Sequence, residues 1–202
     1  MTHQTPARPY RMQRRAEQQD HTRQRIIESA VELHGTLGPA RTSISAVAAR
    51  AGVRRSTFYR HFPDEAALFD ACTAHWMAAN PPPDFVAWTD IADPDERLRA
   101  ALAVLHRYYR GAEGMLDNLF RDESIVLLVA ERFVAFRGYL AAVQESLMQG
   151  RMLRGTAART TRGALGHAIA FSTWKSLVRE HGVSDKEAGI LLCALVLASQ
   201  EV

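Results

Sequence analysis

The chain has 202 residues, 47% apolar and 23% charged, enough for one or two compact domains with a sizeable core. No run approaches the roughly 20 apolar residues that span a bilayer, and the N-terminus lacks the apolar stretch of a secretory signal, so neither a membrane role nor export is expected. The net charge of +3 is unevenly spread. Residues 1–62 hold eleven arginines, no lysine and four carboxylates, a net +7, and the remaining 140 residues carry −4. A basic N-terminal third on an acidic body points to a polyanion at one end of the molecule.

Residues 1–21 are polar, with Pro6, Pro9 and four arginines, and read as a basic, largely disordered arm that could reach phosphates or a minor groove. Thr22 to Leu37 reads as a first helix. Thr22 is its candidate cap, Ile26, Ile27, Ala30, Val31 and His34 repeat at helical spacing, and Gly35 and Gly38-Pro39 end it.

The stretch from Ser43 to Phe62 carries the chemistry. Thr42 or Ser43 can cap a short helix whose Ile44, Val47 and Ala48 fall at i, i+3 and i+4 on one face. Ala51-Gly52-Val53 breaks it, with Gly52 free to take the positive φ that a tight helix–helix turn requires. A second short helix from Arg54 to His61 turns Thr57, Phe58 and Phe62 partly inward. It offers Arg54, Arg55, Ser56, Tyr59, Arg60 and His61 outward. A basic, hydroxylated second helix after a glycine elbow is the form that enters a DNA major groove. Pro63-Asp64 then opens a fourth helix over 64–80, capped by Asp64 and striped by Leu68, Phe69, Cys72 and Trp76. Asn80-Pro81-Pro82-Pro83 ends it and marks a boundary.

Residues 84–202 read as helical throughout. Pro94-Asp95-Glu96 opens a helix through Leu98, Leu102, Leu105 and Tyr109, and Gly111 and Gly114 flank a short one ending near Phe120. A long helix over 123–148 carries Ile125, Leu128, Val129, Phe133, Phe136 and Leu140. Residues 161–181 form the next, and Ser184-Asp185-Lys186-Glu187 is a capping box for the last. That last helix is apolar almost all round, so it must be covered on every side. In a body this small the second cover is expected to be another copy of the chain.

The set Ile26-Ile27-Glu28-Ser29-Ala30, Ile44-Ser45-Ala46-Val47-Ala48, Ala51-Gly52-Val53 and Ser56-Thr57-Phe58-Tyr59-Arg60-His61-Phe62-Pro63-Asp64 resembles the DNA-binding domain of the TetR family of transcriptional regulators. The resemblance implies an all-α protein of about nine helices: a helix-turn-helix domain over 22–63, the connecting helix, and a larger ligand-binding and dimerisation domain. It implies that Ser45, Arg55, Ser56 and Arg60 face base edges, and that Thr42 or Ser43, Thr57, Tyr59 and His61 hold phosphates, with Arg54 beside them. One position departs from the pattern: the residue after Asp64 is commonly Lys in the family and is Glu65 here. The implied partners are a palindromic double-stranded operator, a second copy of the chain packed through Leu165, Ile169, Leu177, Leu191 and Leu195, and a small-molecule effector. The implied effector pocket draws on Trp88, His106, Tyr109, Met115, Phe133, Phe136 and Trp174.

Enzyme chemistry is not expected. The Glu-x-x-His pairs of helical-bundle metal sites do not occur, and Cys72-x-x-His75 stands alone. There is no glycine-rich phosphate loop and no nucleophile elbow, so no catalytic residue, metal or cofactor is assigned. Cys72 and Cys193, far apart, read as buried thiols of a reducing, cytoplasmic compartment. The rival reading is an architectural protein that binds DNA without sequence preference and ignores small molecules.

Overall fold

The computed structural model describes residues 8–201, with side chains from residue 12. It has ten α-helices and no strand among them. They are α1 (Arg8–Thr36), α2 (Ile44–Arg50), α3 (Arg55–His61), α4 (Glu65–Ala79), α5 (Val86–Thr89), α6 (Pro94–Asp122), α7 (Leu127–Met148), α8 (Gly155–Ala168), α9 (Phe171–Lys175) and α10 (Asp185–Ala198). The chain divides into two compact units. Met1–Pro81 groups with Asp117–Val129, and Pro82–Leu116 groups with Ala130–Val202.

In the first unit, Ile26, Ile27 and Ala30 of α1, Val47, Ala48 and Ala51 of α2, Phe58 and Phe62 at α3, and Leu68 and Cys72 of α4 share one buried core. This is the stripe that the i, i+3, i+4 spacing predicts. α1 is longer than expected. Of the sequence-expected arm, residues 1–7 lie outside the described residues, whereas Arg8 onward is helix. Past Pro9 the run contains no helix breaker, and Met12, Gln13, Arg14, Arg15, Ala16, Glu17, Gln18 and Gln19 all have high helix propensity. Thr22 is therefore no cap; its hydroxyl bonds back to the Gln18 carbonyl inside the helix at 2.8 Å.

The C-terminal end of α1 is held from far along the chain. Asn118 Nδ2 donates to the His34 carbonyl at 2.9 Å, Arg121 Nη2 to the Leu37 carbonyl at 2.8 Å, and the buried Asp122 carboxylate accepts from Ala40 N–H at 3.0 Å. These groups fill the backbone valences that open where α1 stops and the single 3₁₀ turn Pro39–Arg41 begins. The fit is close enough to require glycine at 38, where φ is +93° and a Cβ would lie 2.0 Å from Arg121 Nη2.

The second unit departs from the expected helix boundaries in three places. α6 runs unbroken through Gly111 and Gly114, with no short helix between them. Burying Leu98, Leu102, Leu105, Tyr109, Ala112 and Leu116 along one stripe outweighs the roughly 1 kcal/mol that each interior glycine costs. α7 begins at Leu127 rather than 123, because the backbone from Glu123 to Val126 turns back onto the Leu119 and Asp122 carbonyls. The helix expected over 161–181 is broken at Ala170, whose backbone is extended. The Ile169 carbonyl released by that break accepts from Tyr109 Oη at 2.5 Å, and Phe171 and Trp174 pack against the Tyr109 ring at 5.5 and 6.0 Å. Beyond α9, Ser176–Glu180 forms one π turn closed by His181 N–H on the Ser176 carbonyl. The capping box of α10 forms as the sequence predicts, with Ser184 and Glu187 bonding each other's backbone N–H.

Candidate nucleic-acid interface

α2 and α3 stand on the buried layer of Val47, Ala48, Phe58 and Phe62. Of the two candidate caps, Ser43 caps α2, accepting from Ala46 N–H at 3.1 Å, and Thr42 donates to the Gly38 carbonyl instead. The elbow between the helices requires Gly52, at φ +63°. Arg25 of α1 braces it by donating to the Ala51 carbonyl. Asp64 caps α4, accepting from Ala67 N–H at 2.7 Å.

With the helices so fixed, the outward residues follow from helix geometry. Ser43, Ser45, Arg54, Arg55, Ser56, Tyr59 and Arg60 are exposed; Thr42, Thr57 and His61 are half-buried. All ten expected contact positions thus lie on α2, α3 and the turns beside them. Arg55 Nη2 donates to Tyr59 Oη at 3.2 Å, and its guanidinium lies 5.6 Å from the Tyr59 ring centroid. The Tyr59 ring meets the buried Phe58 ring edge-on at 5.4 Å. Glu65 is exposed in the first turn of α4, where a carboxylate suits the helix dipole and opposes a phosphate.

One contributor escapes sequence reading. Arg23, on α1, lies with its guanidinium 5.0 Å from the Phe62 ring. Burial lowers the His61 pKa, and the Arg60 and Arg23 charges lower it further against the opposing Asp20. His61 therefore stands among cations as a neutral imidazole near pH 7. Arg23 falls at a position of α1 that no motif singles out; only the fold brings it to the end of α3.

The other expected site residues lie in the second unit. Trp88, His106, Tyr109, Phe133 and Trp174 are buried, and Met115 and Phe136 half-buried. Ring contacts join several of them to further aromatics. Tyr109 and Trp174 pack with Phe171, whereas Phe133 and Phe136 continue into Tyr139, which also meets Phe85. Trp174 Nε1 donates to Asp185 at 3.0 Å, and Arg110 binds the other oxygen of that carboxylate at 2.7 Å. Trp88 Nε1, His106 Nε2 and Tyr108 Oη are buried without a hydrogen-bond partner. Tyr108, which the sequence reading omits, has its phenol pKa pushed up to about 12 by burial.

The expected interface residues divide in a similar way. Leu165 and Ile169 are 0% and 2% exposed within the chain's own core, so they are not free to meet a second copy, contrary to expectation. The break at Ala170 turns them inward. Leu177 is half-buried, and Leu191 and Leu195 are exposed at 52% and 43%. Leu191 and Leu195 share the outer face of α10 with Ile190, Ala194 and Leu197; Ala188, Leu192, Cys193 and Val196 fill its inner face. A groove of about 440 Å³ along this helix is floored by Leu98, Ala103, Ile190, Cys193, Ala194 and Leu197. Among the described residues no helix is long and apolar enough to cross a membrane.

Residues 26–72 match the family model described as bacterial regulatory proteins, tetR family. A search of the curated proteins finds no match. Among solved structures, a TetR-like transcriptional regulator from Rhodococcus sp. RHA1 is 20% identical, with 89% of this chain and 96% of that one covered at a TM-score of 0.58. SmeT in its complex with triclosan is 19% identical, over 89% and 91%, at 0.56. The multidrug binding protein EbrR complexed with imidazole is 20% identical, over 86% and 88%, at 0.53. At these identities the solved structures show the shared fold alone. It is residues 26–72, the helix-turn-helix and the start of α4, that match the tetR family of bacterial regulatory proteins.

Proposed function

We propose that the protein is a sequence-specific transcriptional regulator, a homodimer that represses by occupying a palindromic operator and is switched by a small-molecule effector. The observation that carries this reading is the outer face of α3. Two arginines, a serine and a tyrosine face solvent there, with Arg54 exposed at the N-cap, on a helix anchored by the buried Phe58 and Phe62. Arginine bonding guanine O6 and N7 together supplies about 1–3 kcal/mol of base discrimination, and the hydroxyls grip phosphates. One seven-residue helix reaches only a few base pairs, so two copies reading half-sites about one helical turn apart are the economical solution. The bare apolar face of α10 supports the second copy.

Two features support an effector. SmeT with triclosan and EbrR with imidazole share this fold in complexes with small molecules. The second unit also buries Trp88 Nε1, His106 Nε2 and Tyr108 Oη unpaired. Each such group costs about 1–3 kcal/mol, which a ligand's polar atoms would recover. Effector binding would act by population shift, changing the spacing of the two recognition helices, so that effector and DNA weaken one another reciprocally. Chain continuity supports α4 and α6 as the routes, since α4 ends at the first boundary between units and α6 crosses the second.

The test is selection of the purified protein against random duplex DNA at near-physiological salt. The expected result is an enriched palindrome with half-sites about one turn apart. Retention without a consensus, collapsing as salt rises, would overturn sequence-specific regulation in favour of an architectural role.

A further inference from the structure

Arg55 and Tyr59 lie one turn apart on the exposed face of α3, and the structure joins them. The Arg55 guanidinium donates one N–H to the Tyr59 hydroxyl at 3.2 Å while lying 5.6 Å from the ring centroid. The ring is itself steadied by the fully buried Phe58 beneath it. Arg54 and Arg60 have no hydrogen-bond or ring partner among the described residues, so Arg55 is the arginine of α3 that the protein holds before any DNA arrives.

Ordering a free surface arginine costs side-chain freedom. A contact that restrains the side chain in the free protein removes part of that cost from the binding step. We propose that Tyr59 is a positioning residue for Arg55, its hydroxyl holding the guanidinium in the attitude that reads a base edge while its own proton goes to a DNA phosphate. The inference rests on the reading of α3 as a recognition helix and assigns Tyr59 a part in specificity beyond gripping the backbone.

The valences allow both contacts at once. A phenol hydroxyl has one proton to donate and two lone pairs to accept with, so it can accept from Arg55 and donate to a phosphate oxygen together. A guanidinium carries five N–H groups; one committed to Tyr59 leaves enough for the paired bonds to guanine O6 and N7. The phosphate then fixes the hydroxyl, the hydroxyl fixes the guanidinium, and the guanidinium meets the base. Backbone registration and base reading become coupled through one oxygen atom.

The experiment is the same random-duplex selection run in parallel on the wild-type protein, Tyr59→Phe, Arg55→Ala and the double variant, with affinities for the selected site measured for each. Tyr59→Phe keeps the ring and the stacking surface and removes only the hydroxyl. The expected result is a fall of about 3- to 10-fold in base preference at the pair that Arg55→Ala relaxes, with preferences elsewhere unchanged, as loss of one hydrogen bond predicts. In the Arg55→Ala background, removing the hydroxyl should lower affinity evenly and change no base preference. An even loss of affinity from Tyr59→Phe alone, with the preference at that pair intact, would reduce Tyr59 to a phosphate contact and overturn the proposal. A sharpened preference would overturn it too, by showing that the pair is a resting contact that DNA must break. Failure of the folded wild-type protein to enrich any sequence would instead remove the underlying reading, and is recognised without the variants.

Discussion

The outer faces of α3 and α10 are both bare, and they are bare in opposite chemical senses. α3 and its N-cap Arg54 show water three arginines and two hydroxyls; α10 shows it Ile190, Leu191, Ala194, Leu195 and Leu197. Each helix stands on a buried layer of its own unit. Exposure alone therefore says little about a helix's role. The polar face is stable in water as it is and can wait for a polyanion, whereas an apolar face of this width calls for a permanent partner. The inner layers differ as well. Beneath α10 the buried side chains are Ala188, Leu192, Cys193 and Val196, none charged near pH 7. Each unit buries a histidine elsewhere: His34, tilted against the Phe69 ring at 5.2 Å, in the unit that carries α3, and His106 in the other, with burial lowering the pKa of both.

The largest effect should come from breaking the apolar face. In the proposed homodimer, Leu191→Glu combined with Leu195→Glu would put four like charges at the centre of a two-fold contact. The expected outcome is a folded monomer in sedimentation, with affinity for a palindromic site down by about 100- to 10,000-fold as the second half-site ceases to help. A variant that stays dimeric would remove α10 from the interface.

Acid should separate the two layers next. Burial pushes His34 down to about 4, against an opposing pull from the Asp122 charge. Its folded pKa thus lies below the unfolded value near 6.5. Its contribution is complete above pH 6.5 and is lost as pH falls towards 4, amounting to about 3 kcal/mol. Hydrogen exchange followed from pH 7 to 4 should show protection falling across α1 to α4, and His34→Gln should remove that fall while leaving the acid response of α10, which lies beside the buried His106, unchanged.

The smallest effect sharpens the α3 side. Glu65→Lys exchanges a phosphate-repelling carboxylate for a phosphate ligand. DNA affinity should rise several-fold for all sequences alike, and the salt dependence should steepen by about one phosphate contact. Thermal stability should fall by roughly 0.5 kcal/mol, because a cation at the first turn of α4 opposes the helix dipole.

The legible parts of this molecule were those whose determinants lie within a few residues of one another. The Ala51-Gly52-Val53 elbow, the Asp64 cap, the Ser184–Glu187 box and the exposure of Ser43, Ser45, Arg54, Arg55, Ser56, Tyr59 and Arg60 depend on local spacing, and spacing is what a sequence displays. The parts that stayed hidden depend on tertiary partners. The break at Ala170 is stabilised by Tyr109 from sixty residues away, and it turns Leu165 and Ile169 inward. Continuous helix through Gly111 and Gly114 depends on burial that propensity does not contain. The Arg55–Tyr59 bond sits at a visible i, i+4 spacing, yet sorting the two into a base reader and a phosphate holder concealed that they touch.

The anchoring of α1 by Asn118, Arg121 and Asp122 has a practical consequence for taking this protein apart. Residues 117–129 group with the helix-turn-helix although more than thirty residues of another unit precede them in the chain. A headpiece cut after Pro81 would leave the His34 and Leu37 carbonyls and the Ala40 N–H without their partners, and the turn at Gly38 with only its local hydrogen bonds. Any chimera that borrows this reading head must bring the last turn of α6 along, stitched in as a separate segment.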